Sequence, residues 1–196
     1  MKDLKSILKE CSIKEIYCDN HGAPITYVIP IYQRNYAWER DEICALIKDV
    51  HDSMDMGKAV YYIGTLVTYK RDENKYEVID GQQRLTTIYI ILRALGVQDI
   101  YNRLTYSARK ASASTIKALS GRKEKNDLGE MPDLGIKNGF ESAKAGLDEI
   151  VGTSQTDVDK FKEYFLNHVH IIHYRVPKDV DLNHYFEVMN SRGEQL

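Results

Sequence analysis

Apolar positions along the chain fall into blocks of helical and strand period, and the order of those blocks sets the expected fold. Leu4, Ile7 and Leu8 recur at helical spacing, which predicts a short amphipathic helix over residues 2–10. The run from Ile25 to Ile31 within "PITYVIPIYQRNYAW" is rich in β-branched and aromatic residues and reads as a strand leading into a loop. Ile43, Leu46, Ile47, Val50 and Met54 then follow at steps of three and four, so residues 39–54 form a helix with one buried stripe and a charged opposite face. Two strands come next, at 60–69 and 75–80, joined by the polar turn Arg71 to Asn74 and paired most simply as an antiparallel hairpin. The second stops at Asp80-Gly81. From Gln82 onward Leu85, Ile88, Leu92 and Leu95 return to helical spacing until Gly96, a natural stop.

Periodicity weakens between residues 103 and 163, where glycines at 121, 129, 135, 139, 146 and 152 and a proline at 132 interrupt it. Helices near 109–119 and 139–150, the second with Phe140, Leu147 and Ile150 inward, are expected among loops, as a helical insertion into a core of residues 20–100 and 165–196. A helix at 157–168, a strand at 171–176 and a helix from Asp181 to Met189, capped by Asp179 or Asp181, follow. The sequence stops at "NSRGEQL", inside a polar motif, which suggests a longer parent protein with a further C-terminal domain. This order of elements predicts a single α+β domain, a small mixed sheet packed with helices.

Length and composition agree with one soluble domain: 196 residues, 43% apolar and 29% charged. No apolar run approaches the ~18–20 residues of a membrane span, and "MKDLKSILKECSIKE" is too polar for a secretory signal. A cytoplasmic protein with no membrane partner is expected. Cys11, Cys18 and Cys44 are odd in number and lack CxxC spacing, so they read as reduced and structural. The formal net charge of −2 means that any nucleic-acid contact must come from a local patch. One candidate lies between Arg103 and Lys125, where Arg109, Lys110 and Lys117 stand among seven basic residues facing the single acid Glu124. It reads either as a DNA-binding surface or as a solvated basic face.

The chemistry centres on "YEVIDGQQRLTT", Tyr76 to Thr87. A strand delivers Asp80 to its C-terminal end and Gly81 turns the chain into a helix whose first N–H groups, around Gln82 to Leu85, form an anion site. Gly81 admits a ligand close to the backbone, Arg84 can pair with phosphate, and the Thr86 and Thr87 hydroxyls lie within one turn. Asp80 is the odd charge out. A carboxylate beside phosphate implies a metal ion, an oriented water or a sugar contact. The structural alternative is that Asp80 and Gln82 cap the helix while Gln83 and Arg84 are surface residues. Two further sets place an amide beside a guanidinium at the end of an element: Gln33-Arg34 among Tyr32, Tyr36 and Trp38, and Asn190 with Arg192 and Gly193. Three such sets are what a pocket for a phosphorylated ligand requires.

The ordered motifs "IPIYQRNYAW", "YIGTLV", "YEVIDGQQRLTT" and "YFEVMNSRGEQL" resemble the N-terminal domain of the GmrSD type IV restriction family and its relatives, including the SspE-type sensors of phosphorothioate DNA. The resemblance covers residues 25–100 and 165–196. It implies a fold like the ParB partition proteins and sulfiredoxin, with nucleotide phosphates at the strand-to-helix turn. It also implies hydrolysis of a nucleoside triphosphate, ATP or GTP with magnesium, through Asp80 to Arg84, coupled to a nuclease domain elsewhere. No nuclease signature occurs in this chain, and Gln82 and Gln83 stand where sulfiredoxin chemistry would need a cysteine.

Two functions follow as expectations. In the first, Asp80 handles metal or water, Gln82 or Gln83 orients the nucleophile, Arg84, Thr86, Thr87 and the helix N–H groups hold phosphates, and Gln33, Arg34, Asn190 and Arg192 close the pocket. In the second, a non-hydrolytic module senses DNA, possibly modified, through the Gly81 turn and the basic segment 103–125. Tyr36 and Trp38 are the candidates for stacking on bases, with a core plug as the alternative for Trp38. His168, His170 and His173 invite a metal reading that strand alternation disfavours, since His173 falls on the face opposite the other two.

Overall fold

The computed structural model describes residues 7–19, 21–119, 131–178 and 180. In chain order its elements are β1 (Leu8–Ser12), α1 (Ile13–Ile16), β2 (Thr26–Ile29), α2 (Arg40–Asp55), β3 (Tyr61–Asp72), β4 (Lys75–Asp80), α3 (Gln82–Ala94), β5 (Leu104–Tyr106), α4 (Lys110–Ala118), α5 (Leu134–Ile150), α6 (Gln155–Asn167) and β6 (Val169–Val176). The strands form one mixed six-stranded sheet in the order β1-β6-β3-β4-β2-β5. The fold is α+β, as the periodicities predict.

The β3–β4 hairpin is antiparallel, while β2 runs parallel both to β4 and to β5. On the other side β6 runs parallel to β3 and antiparallel to β1. Because β4, β2 and β5 are mutually parallel neighbours, their C-terminal ends open at one edge of the sheet. That arrangement positions the site.

Three expectations are corrected. Residues 8–12 are a strand where a helix was expected over 2–10. Leu8 pairs with Tyr174 and Ser12 with His170, so β6 completes the hydrogen bonding of this segment and overrides a three-residue helical pattern. Helix begins only after Ser12, whose hydroxyl accepts from the Glu15 N–H at 3.3 Å while Glu15 accepts from the Ser12 N–H at 2.8 Å, a reciprocal cap. Second, residues 104–106, at the start of the expected insertion, contribute a strand to the sheet. Third, α5 starts five residues before the expected 139, and its buried face is Ile136, Gly139, Ala143, Gly146 and Leu147, with Phe140 only partly covered. The glycines there are contact positions: a Cβ at Gly139 would lie 2.8 Å from the Tyr36 ring, and one at Gly146 would lie 3.0 Å from Cys44 Sγ. The expected helix over Asp181–Met189 lies outside the described residues.

The core is continuous through the helices and one face of the sheet. Helix α3 is buried nearly all round, from Gln82 to Arg93 with Arg84 as the exception. A helix of that kind belongs to the interior. Helix α5 packs on both α2 and α3. The strand-to-helix turn at Gly81 therefore leads directly into a helix buried in the core.

Candidate active site

Three loops meet where β4, β2 and β5 end. Strand β4 delivers Asp80 and the Gly81 turn, β2 opens into residues 30–38, and β5 runs through Ser107 and Ala108 to Arg109. Gly81 has φ +88°, and a Cβ there would sit 2.8 Å from the Thr65 carbonyl oxygen of β3, so this position excludes a side chain on two counts. No side chain caps α3. Neither Asp80 nor Gln82 thus takes the capping role that was the structural alternative, and the first N–H groups of the helix are directed at the turn.

The result is a cleft of about 340 Å³. It is lined by Gln33, Arg34 and Trp38 of the loop, Thr65 of β3, and Asp80 to Arg84 of the strand-to-helix turn. Among the described residues the Asp80 carboxylate and the Arg34 guanidinium make no hydrogen bond or ion pair, and both are exposed. Arg84 lies across Gly64, where a Cβ would be 2.9 Å from its Cζ, and its Nη1 donates to the Thr65 carbonyl at 2.8 Å. Two guanidiniums and a helix N-terminus face one carboxylate, a balance that suits a polyanion.

The two glutamines of the motif differ. Gln83 is saturated: its Nε2 donates to the Asn35 carbonyl at 2.7 Å and its Oε1 accepts from the Ala37 N–H at 2.8 Å. Gln82 donates from Nε2 to the Arg34 carbonyl at 3.0 Å, but its Oε1 is buried without a partner. Gln33 Nε2 reaches back to the Ile79 carbonyl at 2.6 Å. Amide side chains thus stitch the loop to the Gly81 turn, and among the described residues the buried Gln82 Oε1 is left without a partner.

Other expected site residues are placed elsewhere. Thr86 and Thr87 are fully buried, Thr86 against the Tyr106 hydroxyl at 2.9 Å and Thr87 against Tyr36 at 2.9 Å and the Gln83 carbonyl at 3.0 Å. On the second turn of a helix covered on all sides, they face the core and not the turn. Tyr36 is 4% exposed, and burial pushes its hydroxyl up to about 12. It is a core plug with no face open to a base, while Trp38, half-buried, both packs against the core and lines the cleft. Arg109 bonds to main-chain carbonyls of the 31–34 loop and is not a free cation on a DNA-facing surface. Lys110 and Lys117 are exposed on α4. Asn190 and Arg192 lie outside the described residues.

Among the described residues, no group of three or more His, Cys, Asp or Glu side chains converges as a metal site. His168 bonds the Ala59 carbonyl and His170 the Glu10 carboxylate, while His173 is buried against Thr68. None of the three lines the cleft. Thr65 and Gly64 were missed by sequence reasoning. The signal was present, since an isolated glycine within a strand marks close approach of another group.

A family model described as the GmrSD restriction endonuclease, N-terminal domain, matches residues 13–196, including the middle of the chain where the motifs are silent. No curated protein matches the chain. Among the described residues, no helix is long and apolar enough to cross a membrane.

Proposed function

The chain belongs to the GmrSD restriction endonuclease N-terminal domain family, a module of restriction and phage-defence proteins, and from that premise we propose that its cleft binds and hydrolyses a nucleoside triphosphate. The observation that carries this reading is that Arg34, Arg84 and the α3 N-terminus line one cleft with Asp80, which has no partner among the described residues. A purely anion-binding surface has no use for that carboxylate. The volume of about 340 Å³ falls in the range of small-molecule pockets.

In the proposed reaction the two guanidiniums and the N–H groups of Gln82 to Arg84 hold the phosphate oxygens and take up charge as it shifts toward the leaving group. A water oxygen attacks the terminal phosphorus, the bond from that phosphorus to the bridging oxygen breaks, and the water proton passes to the Asp80 carboxylate. Products are the diphosphate and inorganic phosphate. Gln82 holds the Arg34 carbonyl through its Nε2 and so orders the loop beside the nucleophile. Gln83, Thr86 and Thr87 support the site by packing. No cluster of metal-ligating side chains forms among the described residues, so a magnesium ion carried by the nucleotide would have Asp80 as its protein ligand. Such an ion would supply neutralisation of phosphate charge.

Turnover and binding by wild type, Asp80→Ala and Arg34→Ala test the reading. Asp80→Ala is expected to lower turnover by about 10²–10⁴-fold with nucleotide still bound, and Arg34→Ala to weaken binding about tenfold. Equal turnover in wild type and Asp80→Ala would remove hydrolysis from this site. No nucleotide binding, together with steeply salt-dependent DNA binding, would transfer the cleft to a DNA-sensing role.

A further inference from the structure

We infer that Arg109 is a positioning residue that holds the Gln33–Ala37 wall of the cleft in its ligand-ready shape. The inference rests on the nucleotide reading for its consequence but not for its geometry. Arg109 Nη1 donates to the Arg34 carbonyl at 3.1 Å, and Nη2 donates to the Ile31 carbonyl at 3.0 Å and to the Gln33 carbonyl. Residues 31–39 form no helix or strand, so their main-chain groups depend on side chains for partners. Gln82 and Gln83 serve one end of the loop from the α3 side, at Arg34, Asn35 and Ala37. Arg109 serves the other end from the β5–α4 side, and the Arg34 carbonyl accepts from both.

Local preferences oppose an arginine here, which makes the placement informative. Arg109 is the N-cap of α4, where Ser, Thr, Asp or Asn would satisfy the helix, and its side chain makes no capping bond. A cation at a helix N-terminus is also unfavourable. The preceding Ala108 is held at φ +59°, a conformation that non-glycine residues adopt at some cost. The three carbonyls are the compensation that the structure offers. Arg109 spreads these donors over two nitrogens in a fixed planar fork, which the single nitrogen of a lysine does not reproduce.

The position of β5 makes this possible. Its pairing with β2 brings the 107–109 connection beside the loop that leaves β2. The arginine therefore ties the sheet edge to the cleft, and this side chain of the basic stretch is engaged by the loop carbonyls.

The test uses the full chain with Arg109→Ala and Arg109→Lys, and Lys137→Ala as an exposed control on α5. Hydrogen exchange at residues 33–37 and quenching of Trp38, the single tryptophan of the sequence, read the loop directly, without nucleotide. Both Arg109 variants are expected to raise exchange in the loop by about tenfold or more, the scale of one lost charge-assisted hydrogen bond, and to increase Trp38 quenching. Nucleotide affinity should fall while turnover of the bound fraction is kept. Exchange and quenching equal to wild type in both variants would overturn the inference. Arg109→Lys at wild-type values, with Arg109→Ala loosened, would overturn the fork geometry and leave only charge. Should Arg109→Ala fail to fold, Arg109→Lys decides alone. Absence of nucleotide binding in wild type would defeat the proposed function, while the exchange result would still decide the role of Arg109.

Discussion

Burial decides the behaviour of His173. Its Nε2 meets Thr68 Oγ1 at 2.8 Å, its Nδ1 has no partner, and the rings of Tyr27 and Tyr76 each lie 6.2 Å away. Burial first, then the charges of Arg175 and Lys9, push its pKa down from 6.5 to about 3. Between those values the unfolded chain binds a proton that the folded chain refuses. Stability is therefore full above about pH 6.5 and falls as pH drops toward 3, with a limiting slope of about 1.4 kcal/mol per pH unit from this one group. Denaturant unfolding between pH 7 and 4.5 should show this slope in wild type and a shallower one in the Thr68→Val/His173→Phe double variant. Identical slopes would exclude His173 as the source. The three histidines in sequence had suggested a metal, and alternation alone separated His173 from the others. What alternation could not supply was the direction of the core, because β6 has a side chain of intermediate or full burial at every position.

At the scale of elements, α5 was the least legible helix because its glycines look like breakers. Glycine disfavours helix by about 1 kcal/mol relative to alanine, so Gly139→Ala would stabilise an isolated helix. In the folded chain the added Cβ would meet the Tyr36 ring at 2.8 Å, and that ring is fixed below by its hydroxyl bond to Thr87. Overpacking of a fixed neighbour costs about 1–3 kcal/mol, which outweighs the propensity gain. Gly139→Ala is expected to lower the thermal midpoint, and because Tyr36 adjoins the Gln83-bonded residues Asn35 and Ala37, to weaken nucleotide binding as well. A raised midpoint would show that Tyr36 can yield. The strong stripes of α2 and α3 and the hairpin β3–β4 were readable because each satisfies its own period locally. Strand β1 was not, since its partner β6 lies some 160 residues away and only pairing reveals it.

For the whole molecule, the decisive fact is that β4, β2 and β5 open at one edge, so that motifs far apart in sequence converge. Gln33, Arg34, Asp80, Gly81 and Arg84, grouped from their motifs, line one cleft, because each stands near the end of a strand or the start of a helix. Tyr36, Thr86 and Thr87 lie in the core and Arg109 is bonded to loop carbonyls, because their partners are set by packing between elements and leave no trace in spacing. This division separates binding from chemistry in a way that stability can read. A ligand at about 100 times its dissociation constant stabilises the folded state by about 2.7 kcal/mol, or roughly 5–10 °C in a domain of this size. A nucleoside triphosphate should raise the melting temperature of wild type and of Asp80→Ala by that amount, and that of Arg34→Ala by less, while only wild type and Arg34→Ala turn over. On the nucleotide reading, duplex DNA should give no shift that Arg34→Ala removes. A shift with DNA that depends on Arg34, and none with nucleotide, would reverse the assignment of the cleft while leaving its architecture intact.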